Sequence, residues 1–302
     1  KLFSLHYHLD TSLADADRYP LRLADLIVLD CDYTVAPEKI VWASKFVNKK
    51  LPSFGLSGDV LYEPMWVSQN YEDYVHKVMH IDPSGRGADE TAVCVSGYLN
   101  GYVFILELAG LQGGYSERTL EKIVTMAMET EVNVIRFESN FGDAMFGQIL
   151  LPVMRRMGCN AGIEEFRVSG NKSKRIIGTL EPVMSAHRLV VDPKIIKQEE
   201  TQRQITRITE MKGSLKHDDR VDVLASSVSY WEDSLGVNVD DKVAEAEYMR
   251  NETIIQNWEN DDRRIRSIGY DRTIGNVQIN GQDLQMKRPS YFKNRLLRKF
   301  NQ

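Results

Sequence analysis

The stretch TAVCVSGYLNGYVFILEL, residues 91–108, decides the fold class. Thr91 to Leu99 and Tyr102 to Leu108 are apolar runs rich in β-branched and aromatic residues. Between them stands Asn100-Gly101, the strongest short hairpin signal, because both residues tolerate the positive φ that a tight two-residue turn demands. Upstream, Val78 to Asp82 is a further strand candidate that stops at Pro83, and Gly85 and Gly87 mark a turn before Thr91. Three antiparallel strands are therefore expected.

Downstream the period changes. Leu120, Ile123, Val124, Ala127 and Met128 recur at helical spacing behind Ser116, a suitable N-cap. Val132 to Phe137 reads as a strand. Phe146, Ile149, Leu150, Val153 and Met157 give a second helix strained by Pro152, and Ile163 to Val168 a fifth strand. Arg175 to Ala186 is helical despite Pro182, Ile195 to Met211 is polar and helical, and Asp219 to Trp231 places Val221, Leu224, Ala225, Val228 and Trp231 on one face. Hairpin strands followed by alternating helices and strands predict an α/β fold, a mixed sheet with helices on both faces. Residues 1–60 mix short apolar runs with turn signals, Leu21 to Leu29 fits a helix or a strand, and Leu51 to Asp59 reads as a linker. After residue 236 the pattern fades into a tail, acidic to Asp262 and basic at the end (Lys287, Arg288, Lys293, Arg295, Arg298, Lys299), with a terminal amphipathic helix expected at Tyr291 to Phe300.

The chain has 302 residues, 42% of them hydrophobic and 27% charged, a globular composition. No apolar run reaches the length of a membrane span, and no secretory signal opens the chain. Cys31, Cys94 and Cys159 are too few and too scattered for a disulfide framework or a thiolate zinc site, which fits a reducing compartment. The net charge of −5 gives no global basic field, so any nucleic acid would have to meet local patches or metal ions. No G-x-x-x-x-G-K-[ST] phosphate loop occurs, Gly85-x-Gly87 lacks the rest of a dinucleotide fingerprint, and the six histidines form no close ligand pair. Phe137, Phe141 and Phe146 read as core.

Three acidic positions carry the chemistry. Asp82 lies where a strand meets a glycine-rich turn (HIDPSGRGADET), Glu138 ends a second strand (FESNFGD), and Asp218, Asp219 and Asp222 open the last amphipathic helix (HDDRVD). Ligands in open α/β sheets bind outside the carboxyl ends of strands, where Asp82 and Glu138 meet if their strands are neighbours. Asp219 and Asp222 are three apart and Asp218 and Asp222 four apart, hence on one helix face. Each acid alone has a structural explanation: a turn aspartate, a salt-bridge glutamate, first-turn acids that complement the helix dipole. Together they form a set of like charges that a divalent cation would relieve, and Mg²⁺ or Mn²⁺ with oxygen ligands suits phosphodiester hydrolysis, two ions serving the attacking and leaving oxygens. Lys172, Lys174 and Arg175 form a basic patch that reads equally as a solvated helix start or as phosphate contacts.

In these three motifs, in the segment Gly97 to Gly110, in GGYSERTLE and in TLEPVMSAHRLVV, the sequence resembles the large terminase subunits of short-tailed DNA phages over roughly residues 15–232. The resemblance implies a ribonuclease-H-like fold. It also implies a metal-dependent endonuclease that cuts concatemeric double-stranded DNA during genome packaging in the host cytoplasm. On the same basis Asp82 and Glu138 are the first and second acids of the metal site. The last acid is Asp219 by preference, then Asp222, then Asp218, and Lys172, Lys174 and Arg175 face DNA. Residues 1–60 would follow an ATPase motor not contained in this C-terminal portion, residues 61–235 would form the nuclease domain, and residues 236–302 a portal-docking tail. The implied partners are DNA, the portal of the procapsid, the small terminase subunit and the ATPase domain, with no membrane. A four-way-junction resolvase of the same fold and a non-catalytic docking module are the alternatives.

Overall fold

In the computed structural model, residues 18–84, 90–139, 145–211, 213–267, 276–279 and 282–285 are described. The Gly85 and Gly87 turn, Phe141, the basic terminus and the helix expected at Tyr291 to Phe300 lie outside them. The chain divides into two compact units, residues 1–243 and 244–302.

The strands are β1 (Ile27–Val28), β2 (Val35–Pro37), β3 (Ile40–Val41), β4 (Trp66–Val67), β5 (Tyr71–Asp73), β6 (His76–Asp82), β7 (Thr91–Leu99), β8 (Tyr102–Leu111), β9 (Val134–Glu138), β10 (Gly162–Phe166), β11 (Leu189–Val191), β12 (Asn276–Ile279) and β13 (Gln282–Gln285). The helices are α1 (Glu117–Glu129), α2 (Met145–Met157), α3 (Lys172–Ser185), α4 (Pro193–Ile196), α5 (Glu199–Arg207), α6 (Asp219–Ser229), α7 (Glu232–Leu235) and α8 (Val239–Ser267). Seven strands make one sheet in the order β1-β11-β8-β7-β6-β9-β10. β7 runs antiparallel to β6 and β8, and every other pair is parallel, so the sheet is mixed as expected. The core order β8-β7-β6-β9-β10 is the ribonuclease-H-like one.

The hairpin read from residues 91–108 forms in register, with Leu99 opposite Tyr102. Asn100 and Gly101 both take positive φ, 48° and 87°, the type I′ geometry that matches strand twist. A side chain at 101 meets the left-handed steric penalty, so Gly101→Ala is expected to cost about 1–2 kcal/mol in urea unfolding. An unaltered midpoint would show the turn to be permissive. Every residue of β7 is buried, which explains its unbroken apolar reading.

Helices cover both faces. Leu120, Ile123 and Val124 of α1 and Phe146, Leu150 and Met154 of α2 pack with Met79, Ile81, Ile135 and Phe137 on one side. Ile176 and Leu180 of α3 and Val221, Leu224 and Val228 of α6 pack with Val78, Cys94, Ile105 and Val134 on the other. Ser116 caps α1 by accepting from Thr119 N. Pro152 and Pro182 sit inside α2 and α3 without breaking them. Both rings are exposed, so water can serve the carbonyls each proline leaves without a donor.

Several expectations change. Residues 21–28, placed by sequence in a segment before the domain, are built into it. Leu21, Leu23, Leu26, Ile27 and Val28 are at most 2% exposed, and β1 pairs with β11 at the sheet edge. The stretch 51–59 is fastened rather than loose: Asp59 accepts from Leu23 N and Ala24 N, and Gln202 bonds Phe54 N and Pro52 O. The single helix expected from Ile195 to Met211 is α4 plus α5, because Asp192-Pro193 starts a short helix that Asp192 itself caps. The acidic part of the tail forms the 29-residue helix α8. The second unit contains most of that helix and the β12–β13 hairpin. No helix among the described residues is long and apolar enough to cross a membrane. Cys31, Cys94 and Cys159 are free.

Candidate metal centre

Strand parity aims two of the acids. Along β6, Met79 and Ile81 enter the α1–α2 core, while Val78 enters the α3–α6 core. With a period of two, His80 and Asp82 share the side of Val78. Along β9, Val134 faces α3 and α6, while Ile135 and Phe137 face away, so Arg136 and Glu138 share the first side. β6 and β9 are adjacent and parallel, with His80 opposite Arg136. One pleat further on, both strands end in a carboxylate, at Asp82 and Glu138, on the same edge and the same face.

The third acid comes from α6, which packs on β6, β7 and β8. Asp82, Glu138 and Asp222 each bring a carboxylate oxygen within 4.8 Å of one another. Glu138 and Asp222 are buried, and Asp82 is partly so. Among the described residues this is the one group of three or more acid, histidine or cysteine side chains so arranged. Of the late acids, Asp222 is the one whose carboxylate joins the two strand-end acids, whereas the sequence puts Asp219 first and Asp222 second. The reason is helix phase. Asp222 lies one turn before Ser226, on the side facing α3, where Arg175 reaches both residues. Asp219 stands in the first turn and adds to the negative field at Asp82, and Asp218 pairs with Lys172.

Burial first, then the charges of Asp222 and Glu138, push the Asp82 carboxyl up to about 7. Lys172 opposes them and Asp219 adds to them. The basic patch is divided. Lys172 Nζ lies 2.8 Å from Asp218 Oδ1 and 2.9 Å from Asp222 Oδ2. Arg175 bonds Asp222 Oδ1 and donates to Ser226 Oγ at 3.2 Å. Both cations are thus turned into the acid cluster, which raises the Lys172 ammonium above its ordinary value. Lys174 is exposed, and its backbone N–H bonds the Asn171 cap.

A layer beneath the acids escaped the sequence reading. His80 is fully buried, with Nε2 3.1 Å from Arg136 Nη1. Burial, then the Arg136 charge, pushes its imidazole down to about 3, so it is neutral. The Arg136 guanidinium lies over the rings of Phe166 and Tyr230, at 5.0 and 4.8 Å. Glu90 and Arg220 also escaped notice. Arg220 stands within HDDRVD, so its position was visible there, but its partner was not.

The donor set, three crowded carboxylates with one pushed towards neutrality, fits a hard divalent cation. A sheet of this order with acids gathered at one edge defines the ribonuclease-H-like class. Residues 81–189 match the family model of the ribonuclease-H-like domain of the bacteriophage T7 terminase. Over 264 residues, 81% of this chain and 45% of the relative, the sequence is 39% identical to the terminase large subunit of Enterobacteria phage T3. The chain therefore spans about half the length of the curated relative it matches. Among solved structures it is similar to the human cytomegalovirus terminase nuclease domain, at 12% identity and a TM-score of 0.40, covering 52% of this chain and 83% of that one. It is also similar to the large terminase nuclease from thermophilic phage G20c, at 14% identity and a TM-score of 0.39, covering 52% and 83%. The chain belongs to the large terminase family.

Proposed function

We propose that this chain is the nuclease portion of a packaging terminase, a divalent-metal-dependent endonuclease that cuts concatemeric double-stranded DNA. The observation that carries the proposal is the convergence of Asp82, Glu138 and Asp222 oxygens within 4.8 Å, at the strand-end edge where open sheets bind ligands. In this reading these three residues hold Mg²⁺ or Mn²⁺, with Asp219 and Asp218 beside them for a second ion. Bound there, the ions supply Lewis acidity at the phosphate and favour ionisation of the attacking water.

The chain's own groups have distinct tasks. Burial and the neighbouring carboxylates hold the Asp82 carboxyl towards its neutral form, and an added positive charge favours its ionisation. Asp222 is held by Lys172 and Arg175, one on each oxygen, which fixes its carboxylate against the sheet. Lys174, exposed at the start of α3, makes a phosphate contact of modest strength in this reading. The relative's large subunit is about twice as long, and in this reading the further length holds a separate ATPase domain. The portal and the small terminase subunit are the further partners of this reading. The boundaries 1–60, 61–235 and 236–302 stay proposals for its division of labour, with residues 21–28 contributing to the core of the middle part.

Supercoiled plasmid incubated with the protein and Mn²⁺ is expected to be nicked and then linearised, and EDTA to stop the reaction. Cleavage is expected to fall steeply with salt, since a chain of net charge −5 gains DNA affinity only from local cations. Plasmid left intact at every Mn²⁺ concentration would remove the proposal. Preference for a four-way junction over linear duplex would move it to a resolvase.

A further inference from the structure

We infer that Glu90 and Arg220, supported by Gln204, are positioning residues that hold the Asp222-bearing helix against the Asp82-bearing strand end. The inference rests on the metal-centre reading above. Arg220 lies between Asp219 and Asp222 in sequence, yet its side chain binds elsewhere. Its Nε donates to Glu90 Oε1 at 2.7 Å, its Nη2 to Glu90 Oε2 at 3.0 Å, and its Nη1 to Gln198 Oε1 at 2.8 Å. This is a two-pronged guanidinium–carboxylate pair, which fixes direction as well as distance. The two side chains are only 15% and 14% exposed, so water screens the pair weakly.

The attachment points explain the role. Glu90 immediately precedes β7, in which Ala92 lies opposite Asp82. Arg220 is two residues from Asp222. The pair thus ties the helix that carries Asp222 to the start of β7, the strand paired with the Asp82 end of β6. Gly110 makes room for it: a Cβ there would fall 1.8 Å from Glu90 Oε2, so the carboxylate occupies the space of a side chain at 110.

The start of α6 is built to the same end. Asp218 stands at the N-cap but makes no capping bond, because its carboxylate is on Lys172. Gln204 of α5, only 1% exposed, substitues for it. Its Oε1 accepts from Arg220 N at 3.0 Å and from Val221 N at 3.2 Å. Helix amides are served by a borrowed amide oxygen, and the acids of 218–222 keep their carboxylates for other partners.

The test measures Mn²⁺ binding to the intact 302-residue chain by the electron paramagnetic resonance of free Mn²⁺, alongside plasmid cleavage. Glu90→Gln and Arg220→Met are each expected to weaken Mn²⁺ binding about tenfold, the usual scale for groups that orient ligands. The Mn²⁺ needed for half-maximal cleavage should rise equally, with KM for DNA unchanged. The double variant is expected to be no worse than either single one. The two substitutions remove opposite charges, so an effect through the electrostatic field alone would weaken binding in one and strengthen it in the other. Gly110→Ala changes no charge, displaces Glu90, and is expected to give the same loss; it decides the question if Arg220→Met does not fold. Mn²⁺ affinity within twofold of wild type in the folded variants, or shifts of opposite sign, would overturn the inference. A wild-type chain that binds no Mn²⁺ would instead overturn the metal-centre reading beneath it.

Discussion

Replacing Asp82 by Asn is expected to abolish Mn²⁺-dependent cleavage and, at the same time, to raise the melting temperature of the metal-free protein. The first effect follows from the proposed ligand role: an amide oxygen carries no charge and binds a hard cation far less well. A loss of about 10³-fold or more in rate is expected, comparable to removing one preorganised electrostatic contact from a hydrolytic site. The second effect follows from the sign of the shift. The folded carboxyl is pushed up to about 7 by burial and by Asp222 and Glu138, against 3.8 for the ordinary group. Folded protein therefore holds a proton that unfolded chain has lost between these values. The stability this group contributes is full below about pH 4, declines as pH rises, and is gone above about 7. Asn is neutral throughout. The variant should gain about 1–2 kcal/mol over wild type at pH 8, some 2–8 °C in melting temperature, and nothing at pH 4. Mn²⁺ should raise the melting temperature of wild type and leave the variant unmoved. Calorimetry at the two pH values checks the stability claim, and plasmid cleavage checks the catalytic one. A variant that cuts like wild type, or one less stable at pH 8, would remove Asp82 from the centre.

The sequence made this residue legible for a definite reason. Val78-Met79-His80-Ile81-Asp82 and Val134-Ile135-Arg136-Phe137-Glu138 are both period-two strands that end in an acid. Neighbouring parallel strands in register bring such ends together. The hairpin was equally open to reading, because Asn100-Gly101 fixes its register. Other features depend on packing that no local pattern encodes. β11 has three residues, too few for periodicity, and β1 has two. The helix α8 is acidic and lacks a strong apolar stripe, so its 29 residues read as a tail. The choice among Asp218, Asp219 and Asp222 turns on the rotation of α6 about its axis. That rotation is set by contacts with α3, α5 and the sheet, and Arg175, Gln204 and Glu90 are distant in sequence. The patch of Lys172, Lys174 and Arg175 illustrates the same limit: charge was visible, but the direction in which each cation points was not.

Asp222→Asn is expected to stop cleavage as completely as Asp82→Asn, yet to shift stability the opposite way. Asp222 is 6% exposed and carries a cation on each oxygen, Lys172 at 2.9 Å and Arg175 closer still. Its charge is compensated, whereas that of Asp82 is crowded. Removing it leaves Arg175 with Ser226 and Lys172 with Asp218, and strands positive charge in a partly buried place. Losing one member of a fully buried pair costs about 3–5 kcal/mol, and here the cations are 40% and 21% exposed, so a loss of about 2 kcal/mol is expected. That corresponds to a fall of about 4–8 °C. One gain opposes it: the substitution relieves the repulsion felt by Asp82. The measurement should therefore be made at pH 6, where Asp82 in wild type still holds its proton and little repulsion remains to be relieved. Two ligands of one centre would then give equal loss of cleavage with stability changes of opposite sign, an outcome that general disruption of the site cannot produce. If both variants move the melting temperature in the same direction, each measured at its stated pH, the division between a crowded and a compensated acid is wrong.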